Sequence, residues 1–263
     1  MKLVFTDLDG TFLDHNTYSY EKSLIGFNLL KENNIPLILI SSKTCEEMTV
    51  LHKELSLGTP FIFENGGGIA VPENGRSKIS KIYNGSLVED LLPKTTIVEK
   101  LLATKITTLI DMTISEVSEK TGLSIEKAKM AKQRETSIPF IIENGDQFNI
   151  DHLQSFNKTL STEGLFLTKG GRFYHITSQG ANKGIALKKV VDLYKKKNGI
   201  TSIISAAIGD SENDVPMLAE VDKPFLVRKH DGSAIETGLK NITVTSLPGP
   251  EGFSEAMNIF INF

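Results

Sequence analysis

The chain has 263 residues, 29 Lys+Arg against 32 Asp+Glu, and 40% hydrophobic residues. These values lie near globular averages and exclude a disordered, collagen-like or coiled-coil chain. A net charge of −3 carries no basic excess for nucleic acid or an anionic membrane surface, so neither is expected as a partner. One cysteine, Cys45, cannot form an intrachain disulfide and fits a reducing interior. The apolar runs fall far short of the ~20 residues needed to cross a bilayer. Asp7 and Asp9 interrupt the only apolar run near the N-terminus, against a signal peptide. The expectation is a soluble, cytoplasmic, globular protein.

In chain order, Lys2–Leu8 reads as a buried strand stopped by Gly10. A helix over Tyr20–Asn33 follows, then the all-apolar strand IPLILI at Ile35–Ile40, patterned for burial on both faces. Ser41-Ser42-Lys43-Thr44 leads into a helix ending near Leu57. This alternation predicts a parallel α/β sheet. The rhythm resumes with a helix at Lys183–Lys197, a strand at Ser202–Ile208 and another at Phe225–Val227. Between them the texture changes. Helices at Ser86–Thr104 and Ser124–Arg134 and strands at Ile138–Glu143 and Arg172–Ile176 predict a second, inserted unit. The expected division is residues 1–83 and 179–263 for a Rossmann-like core and 84–178 for an α+β insertion.

Four features fall at the C-terminal ends of predicted parallel strands or at the start of a following helix, where open α/β sheets bind ligands. Asp7-Leu8-Asp9-Gly10-Thr11 offers two carboxylates around a sharp turn, one for nucleophilic attack and one for proton transfer; an exposed acidic turn is the plain alternative. Ser41-Ser42-Lys43-Thr44 presents hydroxyls and amides suited to phosphate, or simply a helix cap. Lys183 opens a helix, against the macrodipole, which points to negative partners unless solvent alone holds it. Gly209-Asp210-Ser211-Glu212-Asn213-Asp214 supplies hard oxygen ligands for Mg²⁺, or an acidic first turn. No GxxxxGK[ST] segment is present, which removes a P-loop protein from consideration.

The order and spacing of these four motifs resemble the haloacid dehalogenase superfamily of phosphohydrolases, with an insertion like that superfamily's C2-type cap. More narrowly, FTDLDGTFLD, ISSKT, PFIFENGGGIAVP, GGRFYHI, NKG, GDSENDVPML and GPEGF resemble the mannosyl-3-phosphoglycerate phosphatase family from end to end. Cys45 stands where many members carry Arg. The resemblance implies Asp7 as nucleophile and Asp9 as acid and base. It implies Mg²⁺ held by Asp7, the Asp9 carbonyl and Asp210, with Asp214 acting through water and Asn213 close by. Ser42, the Lys43 amide and Asn213 would hold phosphoryl oxygens, with Ser41 the second choice for the hydroxyl, and Lys183 would bridge Asp7 and phosphate.

Substrate selection must come from other groups. Glu64, Asn65 and Gly66 are candidates for sugar hydroxyls, although ENG is also a good turn sequence. Arg134 and Arg172, in the predicted cap, are candidates for the carboxylate of a phosphorylated sugar-glycerate, with surface arginines the alternative. His175 is a strand residue without an assigned role, and His15 and His52 read as surface residues. GPEGF reads on composition only as a turn. A general sugar phosphatase shares every core motif. A non-catalytic domain is disfavoured because Asp7, Asp9, Lys183 and Asp210 are all present. Oligomeric state is not specified.

Overall fold

The computed structural model describes residues 1–73, 78–142, 150–170 and 173–263. The core elements in the first part of the chain are β1 (Lys2–Thr6), α1 (Leu24–Glu32), β2 (Leu37–Leu39), α2 (Cys45–Glu54), β3 (Phe61–Phe63), β4 (Gly68–Glu73) and β5 (Lys78–Tyr83). Then come α3 (Val88–Leu91), α4 (Thr95–Leu102), β6 (Ile106–Thr108), α5 (Ile114–Thr121), α6 (Ile125–Ala131), β7 (Ser137–Ile142), α7 (Ile150–Leu160), β8 (Leu165–Gly170) and β9 (Phe173–Ser178). The chain closes with α8 (Lys183–Asn198), β10 (Ile204–Gly209), α9 (Val215–Leu218), β11 (Lys223–Arg228), β12 (Thr243–Pro248) and α10 (Gly249–Ile261).

Five strands form a parallel sheet in the order β12-β11-β10-β1-β2. Both faces are covered, and the alternation along each strand divides its side chains between them. Val4, Leu37 and Leu39 join Phe27, Phe253 and Phe260 on one side, while Leu3, Phe5, Ile38 and Ile40 meet Ala186, Leu187 and Val190 of α8 on the other. Hydrophobic burial on two faces is why IPLILI has no polar position. Leu37–Leu39 pairs regularly with β1, and Ile40 beyond it still donates its amide to the Thr6 carbonyl at 2.8 Å while bridging to Ile62 of β3. β3, β4 and β5 form an antiparallel meander. The α/β architecture with an α+β cap is therefore the one expected.

The cap sheet is antiparallel, in the order β6-β7-β9-β8. One of its faces buries Ile138, Phe140, Leu165, Leu167, Tyr174 and Ile176 under the α3–α4 and α7 helices. The single helix expected over Ser86–Thr104 is two: Pro93 sits in a 3₁₀ turn at Leu92–Lys94 between α3 and α4, since proline lacks the N–H an α-helix interior requires. The helix expected to reach Arg134 ends at Ala131. GPEGF opens α10 instead of making a turn, with Pro250 in the first turn, where a missing N–H costs nothing. His52 is buried, with Nε2 2.7 Å from the Thr59 carbonyl oxygen, so its reading as a surface residue is corrected. His15 is exposed.

Candidate active site

The ends of β1 and β10 lie side by side, with the Asp7 amide donating to the Ile208 carbonyl at 2.9 Å. That pairing brings residues 203 positions apart onto one rim: Asp7 after β1 and Asp210 after β10. Gly10 lets the rim close. Its φ is +84°, and a Cβ there would lie 2.8 Å from Asp210 Oδ2, so both conformation and space require glycine. Thr11 Oγ1 donates to Asp210 Oδ1 at 3.3 Å.

Lys183 is the first residue of α8, whose N-cap Asn182 accepts from the Ile185 amide through its side chain. The lysine is 1% exposed. Its Nζ lies 2.5 Å from Asp7 Oδ1 and 2.6 Å from Asp214 Oδ1. Burial opposes its charge, but Asp214 and Asp7 outweigh that and hold its pKa above the ordinary lysine range. Asp214 Oδ2 accepts from the amides of Asp210 and Ser211, each at 3.0 Å. The negative partners anticipated for this lysine are thus two buried carboxylates.

One oxygen from each of Asp7, Asp210 and Asp214 lies within 4.8 Å of the others. If all three carboxylates were ionised, one ammonium would leave an excess of two negative charges. Burial, with the neighbouring aspartates adding to it, accordingly raises Asp7 well above the usual carboxylate range despite Lys183. Burial and Asp214 push Asp210 up to about 7. The excess charge and the hard oxygen donors fit a divalent cation.

Asp9 does not join this cluster. Both its oxygens accept from Lys43 Nζ, at 2.7 and 2.6 Å. Burial works against the charge on Lys43, and the Asp9 and Glu47 carboxylates overcome it, raising its pKa. The sequence pointed only to the Lys43 amide, which here donates to Ser41 Oγ at 3.2 Å. Ser41 is buried, whereas Ser42 is half-buried beside it. Thr44 caps α2 in a reciprocal box with Glu47.

Glu64 and Asn65 both have left-handed backbones, φ 50° and 57°. The sequence reading sends Glu64 to sugar hydroxyls; the structure places its carboxylate elsewhere. It is 0% exposed and accepts from the amides of Glu135 and Thr136, at 2.7 and 2.9 Å, and from Ser137 Oγ at 2.6 Å. Gly66 packs tightly against the start of α8: its φ is +98°, and a Cβ there would lie 2.2 Å from the Asn182 carbonyl oxygen. Asn65 Oδ1 accepts from Asn213 Nδ2 at 3.1 Å, tying this turn to the β10 loop. Arg134 donates from Nη1 to the Ser42 carbonyl at 2.7 Å, which brings a cap guanidinium to the Ser42 turn. Arg172 lies outside the described residues.

Sequence reasoning gave no role to two polar cap residues, Thr168 and His175, whose side chains have buried atoms without a hydrogen-bond partner. The signal was available in the strand parity: both fall on the face opposite the cap core residues Leu165, Leu167, Tyr174 and Ile176.

The model of the haloacid dehalogenase-like hydrolases matches residues 4–237. The chain is 38% identical to the glucosyl-3-phosphoglycerate/mannosyl-3-phosphoglycerate phosphatase of Methanococcoides burtonii, over 97% of this chain and 95% of that one. It is 34% identical to the protein of the same name from Persephonella marina, over 99% and 97%. The crystal structure of a haloacid dehalogenase-like hydrolase from Bacteroides thetaiotaomicron superposes with a TM-score of 0.67 at 20% identity, covering 98% of this chain and 99% of that one. With the strand-end aspartates and the buried lysine in place, the chain belongs to the haloacid dehalogenase-like hydrolases.

Proposed function

We propose that this hydrolase is a Mg²⁺-dependent phosphatase that releases phosphate from mannosyl- or glucosyl-3-phosphoglycerate. The observation that carries the reading is the buried Asp7–Lys183–Asp214 chain beside Asp210, in a sequence that aligns almost end to end with phosphatases named for those substrates. Residues 1–83 and 179–263 would form the catalytic core and 84–178 the specificity cap.

In this reading an Asp7 carboxylate oxygen attacks phosphorus, and the bond from phosphorus to the glycerate oxygen breaks. Asp9 gives its proton to that departing oxygen. It then takes a proton from the water that attacks the aspartyl-phosphate, and phosphate leaves with Asp7 regenerated. Splitting one hard displacement into two is the gain of covalent catalysis, and one group serves as acid and then base. Its ion pair with Lys43 must open or shift for this, and a phosphate oxygen is a natural new partner for the lysine. Lys183 keeps Asp7 oriented and offsets charge on the approaching dianion; Ser42 offers a hydroxyl to a phosphoryl oxygen. Asn213 holds the β10 loop against Asn65. Asp7, the Asp9 carbonyl, Asp210 and, through water, Asp214 would hold Mg²⁺, which when bound supplies positive charge for the phosphoryl oxygens. Arg134 is the described candidate for the glycerate carboxylate. The unpaired thiol of Cys45 supports a cytoplasmic setting. Among the described residues no helix is long and apolar enough to cross a membrane.

The test is phosphate release, in Mg²⁺, from mannosyl- and glucosyl-3-phosphoglycerate, hexose phosphates and p-nitrophenyl phosphate. The reading predicts the highest kcat/KM for a glycosyl-3-phosphoglycerate. Equal or higher values for plain hexose phosphates would replace it with a general sugar phosphatase.

A further inference from the structure

Among the described residues three buried side-chain polar atoms have no hydrogen-bond partner: Asn65 Nδ2, Thr168 Oγ1 and His175 Nδ1. An unmade buried hydrogen bond is costly, so native proteins keep few, and a group of them asks for an explanation. Asn65 lies in the turn that contacts the start of β7, and Thr168 and His175 lie in the cap sheet. Thr168 and His175 are directly opposite one another on β8 and β9. Their strand neighbours Leu167, Tyr174 and Ile176 point the other way, into the cap's hydrophobic core, so the pair lies on the opposite face of the sheet. That opposite face looks at the core. On it Ser137, paired with Thr177, donates to Glu64. β8 packs against the turn Glu212–Asp214, and Asn213 of that turn donates to Asn65. His175 is only 5% exposed, and its ring reaches along β8 to Gly170, where a Cβ would lie 3.3 Å from Nε2.

We propose that His175 and Thr168, with the free amide hydrogens of Asn65, form the subsite that holds the hydroxyl groups of the substrate's sugar. The chemistry of the pair selects hydroxyls over a second anion. Burial and the nearby Arg134 charge push the His175 pKa down to about 3, so the ring is neutral, with one donor and one acceptor nitrogen. A threonine hydroxyl likewise gives and accepts. Sugar hydroxyls do both, whereas a carboxylate only accepts and is better served by the guanidinium of Arg134.

The assignment rests on the phosphatase reading above, and its test separates the two. His175→Phe and Thr168→Val keep the bulk and remove the polar atoms. The measured quantity is kcat/KM for mannosyl-3-phosphoglycerate divided by that for 3-phosphoglycerate, which has the same phosphate and carboxylate but no sugar. Each substitution should lower this ratio about five- to tenfold. The thermal unfolding midpoint should hold or rise, since Thr168 Oγ1 and His175 Nδ1 have no hydrogen bond to lose. An unchanged ratio, or a lower midpoint with equal losses on both substrates, would overturn the subsite. Wild-type enzyme inert on mannosyl-3-phosphoglycerate would instead overturn the function. The subsite is then tested on the same variants as the ratio for a hexose phosphate over p-nitrophenyl phosphate, where a fall supports it and an unchanged ratio overturns it.

Discussion

A lysine at the first position of a helix faces the positive end of the macrodipole, and Lys183 is also buried there between Asp7 and Asp214. Its position is stable only because both carboxylates are present. Removing one partner from a buried ion pair typically costs ~3–5 kcal/mol, because the remaining charge is stranded. Lys183→Met should therefore lower the unfolding free energy by about that amount and remove activity. Urea denaturation in EDTA measures it, and a change below ~0.5 kcal/mol would show that the carboxylates do not depend on the lysine. Cys45 gives a residue-scale prediction of another kind. Burial pushes its thiol up to about 11, so at pH 8 roughly one molecule in a thousand carries the reactive thiolate. The folded protein should resist a disulfide-exchange thiol reagent at pH 8 and react fully in urea. Rapid stoichiometric labelling of native protein would contradict the buried placement.

At the scale of elements, the turn Glu64–Gly66 joins the core to the cap. Its carboxylate is committed to the start of β7, and Arg134, two residues before Thr136, reaches back to Ser42. Hydrogen bonds to a charged group contribute ~1.5–3 kcal/mol each. Glu64→Ala should thus destabilise the protein by at least one such increment and raise KM by loosening the cap. Glu64→Gln, which keeps an accepting oxygen, should recover part of both losses. Unchanged denaturation and KM in Glu64→Ala would remove Glu64 from cap positioning. This contact also shows where the sequence stops being legible. DLDGT after a short apolar strand and GDSEND after SIISAAI are local patterns, each an apolar run followed by a turn, and the chemistry sits at the turn itself. The Glu64 contacts span 71 to 73 residues, and no local periodicity encodes them. Likewise Ser86–Thr104 has helical spacing throughout, yet Pro93 divides it. GPEGF has turn composition, yet the apolar spacing from its own Phe253 on through Met257 and Phe260 makes it a helix start.

At the scale of the whole molecule, the core gathers the acidic groups around Lys183. The buried excess of negative charge around Asp7, Asp210 and Asp214 should make the folded state bind Mg²⁺ in preference to the unfolded chain, which shifts unfolding by mass action. Adding Mg²⁺ to EDTA-treated protein should raise the thermal midpoint and restore activity. Ca²⁺ should restore little, because its larger and looser coordination shell misplaces the nucleophile. A midpoint indifferent to Mg²⁺, together with full activity in verified metal-free protein, would refute the metal assignment. The account as a whole stands on Asp7 being the reacting group. Phosphate release from mannosyl-3-phosphoglycerate by Asp7→Asn, measured beside wild type under identical Mg²⁺, tests that most directly. The account predicts a loss in kcat of more than about 10³-fold with a cooperative unfolding transition retained. Turnover within a few-fold of wild type would contradict it.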